Sequence, residues 1–279
     1  MVTLFSNRGG KPARTADRRV LGRQRAILVA TSLDESGLVA LQRGYMLSQI
    51  FGARLHLAHV LPNAVPPLVE HEDAVQEAVV RWAAARADVV VPLRSVHAAV
   101  GDPSLAIRRA ANRAGAELIV VGAPTNEDSA GMIASLAGAL SGSSALLVAH
   151  PPRTSCELVA ATDLRDAKFP VVKIAAQLAE ALAARVTVVH NLENDGPVLA
   201  VALENITGRL RELEQLASEL DQIRGGRVST TRTTAEAIAD VARTCDADIA
   251  VVGMRRGHGR TLLSLLEHTT CSVLAIPLE

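Results

Sequence analysis

Residues 27–33 read Ile-Leu-Val-Ala-Thr-Ser-Leu, and residues 158–164 read Leu-Val-Ala-Ala-Thr-Asp-Leu. The two stretches lie 131 residues apart. The same offset carries GARLHLAHVL (52–61) onto AARVTVVHNL (183–192) and AGAELIVVG (114–122) onto CDADIAVVG (245–253). It pairs Thr31 with Thr162, Arg54 with Arg185, His59 with His190 and Gly122 with Gly253. One offset kept across three blocks marks a tandem duplication, and a repeat of that kind governs the whole fold.

Within each half, short aliphatic runs alternate with helical patterns. Strands are expected near 26–31, 54–60, 94–100, 117–122 and 144–149, and again near 157–162, 185–190, 226–232, 248–253 and 271–276. The runs are apolar almost throughout, as parallel strands covered on both faces require. Helices are expected over 36–51, 70–88, 103–115, 166–183, 197–223 and 234–245. Asp102-Pro103 opens one helix, with Asp102 as cap and Pro103 at the first position. Thr233 and Glu236 form a capping box at the equivalent place in the second half. Strands alternating with helices imply right-handed crossovers and a doubly wound α/β sheet in each half.

The chain has 279 residues, half of them hydrophobic, but only Phe5, Tyr45, Phe51, Trp82 and Phe169 are aromatic. An aliphatic core is therefore expected, and the stacking platforms of single-strand or RNA recognition are missing. Basic and acidic residues balance at 29 each, which excludes a nucleic-acid footprint over the whole chain. Seven of the basic groups fall within residues 1–25, opposed by Asp17 alone, so the rest is mildly acidic. Residues 1–24 read as a basic disordered tail, residues 25–150 and 155–279 as the two domains, and Pro151-Pro152-Arg153-Thr154 as a linker. Cys156, Cys245 and Cys271 are far apart and suit reduced thiols in a cytoplasmic protein. No run is long enough to span a membrane.

The order of these pieces resembles the universal stress protein family, as a tandem pair. The residues that carry the resemblance are the opening strand Ile27–Ser32 with Val159–Asp163, and the Gly52–Val60 segment. Gly101-Asp102-Pro103 running to Ile107 and Ala110 adds to it, followed by Ala116–Gly122. The closing strand Cys271–Pro277 is echoed more loosely by Ser144–His150. The resemblance spans about residues 25–278 and implies, in each half, a five-stranded parallel sheet in order 3-2-1-4-5 with helices on both faces. It also implies a non-catalytic stress-response regulator, in which some members bind ATP.

Family members that bind ATP carry G-x-x-G, nine residues, then G-[ST] after the fourth strand. Neither half has this intact. The second half offers Gly253, Arg255, Arg256, Gly257, Gly259, Arg260 and Thr261, a flexible basic stretch ahead of a short helix, which suits an anion. The bland alternative is a solvated basic turn. The first half places Glu127 and Asp128 in the corresponding loop. Two like charges there oppose a triphosphate by about 1 kcal/mol each in water at 4 Å and by more at lower dielectric.

Where ATP-binding members have an Asp after the first strand, the second half has Asp163 and the first has Ser32, with Asp34 two residues on. Asp163 suits a ribose or adenine donor, or equally the cap of the next helix. His59 and His190 read as packed, hydrogen-bonded side chains. No catalytic constellation and no metal-ligand spacing is present. ATP with magnesium in the second half is therefore the one cofactor expected. An interaction adaptor without nucleotide and, on fold analogy alone, a nucleotide-dependent enzyme remain the alternatives. The uncovered edges Ala145–Ala149 and Ser272–Ile276 are expected to pair the two halves within the chain. A homodimer and a separate protein partner stay open.

Overall fold

The computed structural model describes residues 2–6, 26–61, 72–139, 144–164, 168–191, 198–229, 233–255 and 259–278. The chain opens with β1 (Val2–Ser6). The first repeat then contains β2 (Ala26–Ala30), α1 (Glu35–Phe51), β3 (Arg54–Leu61), α2 (Glu72–Ala87), β4 (Val96–Val100), α3 (Pro103–Ala114), β5 (Leu118–Gly122), α4 (Glu127–Gly138) and β6 (Ala145–Ala149). The second contains β7 (Glu157–Ala161), α5 (Pro170–Ala181), β8 (Arg185–Asn191), α6 (Val198–Glu219), β9 (Ile223–Ser229), α7 (Thr234–Thr244), β10 (Ile249–Met254), α8 (Gly259–His268) and β11 (Ser272–Pro277). Contacts group the chain into two units. One is built on Arg23–Pro152 together with Met254–Leu263 and Leu274–Glu279, the other on Arg153–Gly253 together with β1 and Ser264–Val273.

In the first unit the strands run in the order β4-β3-β2-β5-β6, every pair parallel. This is the 3-2-1-4-5 sheet that the resemblance implies. Ile27, Leu28, Val29, Val120 and Val148 are buried, as central parallel strands require. Helix α1 comes unusually close to β2, because Gly44 sits where a Cβ would lie 2.2 Å from a Val29 methyl. Asp102 caps α3 by accepting from Leu105 N at 2.7 Å, with Pro103 at the first turn and Gly115 in the left-handed conformation at the end. Such a cap is worth about 1 kcal/mol.

In the second unit β9-β8-β7-β10 are likewise parallel, and Ser272 N donates to Asp248 O at 3.0 Å at the start of β11. The sheet here is not purely parallel. β1 adds to the outer edge of β9 in antiparallel register, Val2 opposite Val228 and Ser6 opposite Gly225. Val2–Ser6 is thus a strand where the sequence reading expects disorder; the remainder of that tail lies outside the described residues. The run Val-Thr-Leu-Phe-Ser is β-prone, but the glycine- and arginine-rich sequence after it masks the signal. Strand β9 starts three residues ahead of its expected place, at Ile223 rather than 226, with a register shift against Val186/Thr187.

The Thr233–Glu236 capping box is present in both directions, at 3.2 and 3.3 Å. Arg153, in the expected linker, is anchored. Its backbone N donates to Asp248 Oδ1 at 2.7 Å and its guanidinium to Asp246 Oδ1 at 2.7 Å and to Thr270.

Candidate functional site

In a doubly wound sheet, ligands bind outside the carboxyl ends of the strands where the strand order reverses. Here those points are β2/β5 and β7/β10. Each is framed by the turn after the first strand of the repeat and the loop after the fourth.

The first turn is the same in both halves. Thr31 N donates to Ala58 O at 2.9 Å and Thr162 N to Val189 O at 3.0 Å. The Thr hydroxyl oxygens accept from Leu33 N at 3.0 Å and Leu164 N at 3.1 Å. Both leucines take a left-handed backbone, φ 62° and 57°, which a bulky residue rarely adopts. His59 Nδ1 donates to Thr31 O at 2.9 Å and His190 Nδ1 to Thr162 O at 2.8 Å, since a carbonyl oxygen can only accept. Both imidazoles are packed and hydrogen-bonded, as the sequence reading has them. Burial holds His190 below its ordinary pKa, against the opposing pull of the Thr162 carbonyl and the Asp163 charge.

Beyond this shared turn the halves part. In the first, Asp34 caps α1. It accepts from Gly37 N at 2.8 Å, Ser32 Oγ at 2.6 Å and Ser36 Oγ at 3.1 Å. Partial burial raises its pKa, but these hydrogen bonds outweigh it and hold the carboxyl below the usual range. The first turn of α1 also lies directly on the end of β5, where a Cβ on Gly122 would stand 2.4 Å from Ser36 O.

The loop after β5 is not the open acidic loop that the sequence suggests. Glu127 and Asp128 form the exposed first turn of α4, a favourable place for acids at a helix start. Asn126 Oδ1 accepts from Ser129 N at 2.8 Å, and Ser129 Oγ accepts from Thr125 N and Asn126 N at 3.0 and 3.1 Å. The backbone donors that would meet a phosphate are thus taken by the chain's own side chains. The pair Asn126–Ser129, at cap and third position, is the signal that sequence reasoning missed.

In the second half, Asp163 is exposed, between the half-buried Thr162 and the buried Leu164. It does not cap the next helix. Helix α5 starts only at Pro170, behind Phe169 in a left-handed conformation, and receives no side-chain cap. Of the two sequence readings of Asp163, the capping one falls away. Gly253 stands near the end of β10, half-buried, and Arg255 comes two residues later, exposed. Arg256 and Gly257 lie outside the described residues. Gly259, Arg260 and Thr261 are not loop residues but the first turn of α8, with Thr261 exposed. The first N–H groups of such a helix lack intrahelical partners and carry the positive end of its dipole. Helix starts of this kind favour anions in general.

A family model described as the universal stress protein family matches residues 24–150 and again 157–277. The chain belongs to the universal stress protein family. It carries two such domains in tandem. Among solved structures it is similar to a universal stress protein from Archaeoglobus fulgidus, at 13% identity, covering 92% of this chain and 98% of that one, with a TM-score of 0.64. It is also similar to a protein of unknown function from Pseudomonas aeruginosa, at 19% identity, covering 92% and 94%, with a TM-score of 0.60. At these identities the likeness speaks to the fold alone. No curated protein is a significant match. Among the described residues no helix is long and apolar enough to cross a membrane.

Proposed function

We propose that this tandem universal stress protein is a non-catalytic stress-response regulator that binds a nucleotide, ATP with magnesium, in its second half only. The observation that carries the proposal is the different use of two carboxylates. Asp34 is committed to capping α1, whereas Asp163 stands exposed after the end of β7 and does not cap α5. In this reading Asp163 meets the sugar or base. Gly253, Gly257 and Gly259 let backbone approach the phosphates, and Arg255, Arg256, Arg260 and Thr261 supply side-chain donors. The chain's residues fit such a group in one further respect: α8 begins at Gly259, and the N–H groups of a helix's first turn favour an anion beside the arginines. Exposed arginines are screened within about 10 Å at 0.1 M salt, so affinity is modest and falls steeply as salt rises.

Calorimetric titration with Mg–ATP tests the proposal. Binding abolished by Asp163→Ala and weakened by Arg256→Glu, but indifferent to Ser32→Ala, supports it. Binding that survives both second-half changes defeats it. The short connection between Met254 and Gly259 favours a second reading, an interaction adaptor that takes no nucleotide; a wild-type chain that shows no heat with Mg–ATP selects it. From the sequence we also propose that Ala145–Ala149 and Ser272–Ile276 join the halves within one chain. Paired cysteines introduced in the two stretches should then form a disulfide in monomeric protein, and failure at every register would refute the pairing.

A further inference from the structure

Thr162 is tied on three sides. Its N donates to Val189 O, its carbonyl accepts from His190 Nδ1 at 2.8 Å, and its Oγ1 accepts from Leu164 N at 3.1 Å. These bonds fix the backbone on both flanks of Asp163. Leu164 is held left-handed at φ 57°, an unfavourable conformation for any residue with a Cβ, and its side chain is buried. In the first half the same turn runs straight into α1, so Asp34 and the helix cap help to hold it. In the second half α5 starts at Pro170 with no side-chain cap, and that support is absent. There the turn is held by the end of β8, through Val189 and His190, as the end of β3 holds it through Ala58 and His59 in the first half.

We propose that Thr162, locked by His190, is the positioning residue for Asp163: its hydroxyl holds the left-handed turn that presents the carboxylate to the ligand. The proposal rests on the nucleotide reading above for its ligand, and on the hydrogen bonds alone for its geometry. Thr162→Val keeps the shape and removes the acceptor. Leu164 N–H then loses its partner, the turn relaxes, and Asp163 is no longer held for binding. The repeat supplies a built-in control, because Thr31→Val breaks the same bond, to Leu33, where no ligand is expected.

The test uses the intact chain in four forms: wild type, Thr162→Val, Thr162→Ser and Thr31→Val. Three readouts are taken: Mg–ATP affinity, amide exchange at Leu164 and Leu33, and the carboxyl titration of Asp163 by NMR. Thr162→Val is expected to weaken Mg–ATP at least tenfold, speed exchange at Leu164 and shift the Asp163 midpoint, and Thr162→Ser to restore all three. Thr31→Val is expected to speed exchange at Leu33 and lower thermal stability comparably, with affinity within twofold of wild type. Equal weakening by Thr31→Val, or full affinity in Thr162→Val with Leu164 exchange raised, overturns the proposal. If wild type fails to bind Mg–ATP, the nucleotide reading falls by itself. The positioning claim is then decided by exchange and titration: unchanged values in Thr162→Val overturn it, and shifts rescued by Thr162→Ser uphold it.

Discussion

The two halves of this chain share the turn after their first strand and differ in the elements that the turn leads into. Thr31 and Thr162, His59 and His190, and Leu33 and Leu164 correspond bond for bond in sequence offset and geometry. Yet the first half places Asp34 at the start of α1 and closes the loop after β5 with Asn126 and Ser129, whereas in the second half Asp163 does not cap α5, which starts without a side-chain cap. A duplicated backbone can therefore keep its frame while the polar groups at its mouth are reassigned. What separates a candidate binding end from a sealed one is which donors the chain has already satisfied by itself.

The largest expected effect is at the seal itself. Gly122→Ala drives a Cβ against the Ser36 backbone, so an unfolding titration should lose about 3 kcal/mol from the first half. A loss under about 0.5 kcal/mol would mean that α1 does not press on β5, and the contrast between halves would weaken.

Next is the edge of the second half. Removing residues 1–6 takes β1 off β9 and with it several ladder hydrogen bonds, each worth about 1 kcal/mol net. Calorimetry should show the melting temperature down by several degrees, and sedimentation should show self-association through the bared strand. No change in either would return Val2–Ser6 to the disordered tail that the sequence suggested.

The two aspartates give the sharpest comparison. Asp34→Ala removes an N-cap and should cost about 1 kcal/mol in urea unfolding, whereas Asp163→Ala removes no helix cap and should cost less. Equal losses would mean that Asp163 also has a structural task, and the functional argument for it would fail.

The smallest effect is in pH. In the first half His56 and His97 stack with ring centroids 5.5 Å apart, and His56 Nδ1 lies 3.3 Å from His97 Nε2. Burial lowers the pKa of both, helped by mutual repulsion and Arg54 at His56 and by Arg113 at His97. A folded pKa below the unfolded value of about 6.5 means that stability is complete above that pH and declines as pH falls through the folded value. His190 adds a decline of the same sign in the second half. Thermal melts from pH 7.5 to 4.5 should therefore slope downward in acid, and His97→Gln should flatten the slope in part. An unchanged slope would remove the histidine pair from the account.

Much of the fold was legible because its signals are local or repeated. Asp102-Pro103 and Thr233-x-x-Glu236 announce helix starts within four residues, and aliphatic runs at a common offset announce buried parallel strands. Strand β1 was not legible, because five β-prone residues mean nothing until a distant edge, β9, offers them a ladder. Strand β9 itself was obscured by Gly225-Gly226, whose extended conformation is imposed by β8 on one side and β1 on the other. At the site, Asp163 and the basic loop could be nominated from sequence. That Asp34 caps α1 and Asp163 does not cap α5 could not, since where each following helix starts is located only by the backbone. The Thr–His–Leu turn was half visible: the paired residues stood out, but the bonds joining them span 28 positions.

The Asn126–Ser129 closure has a consequence for how such a chain can evolve. A cap that satisfies its own helix start raises stability, and stability and binding compete for the same donors. Restoring an open mouth in the first half would require losing the Asn126 box and freeing Asp34 before any ligand could compensate, two destabilising steps in succession. Drift back toward an open first half is therefore uphill. The closure behaves as a ratchet: each satisfied donor makes the step before it harder to reverse.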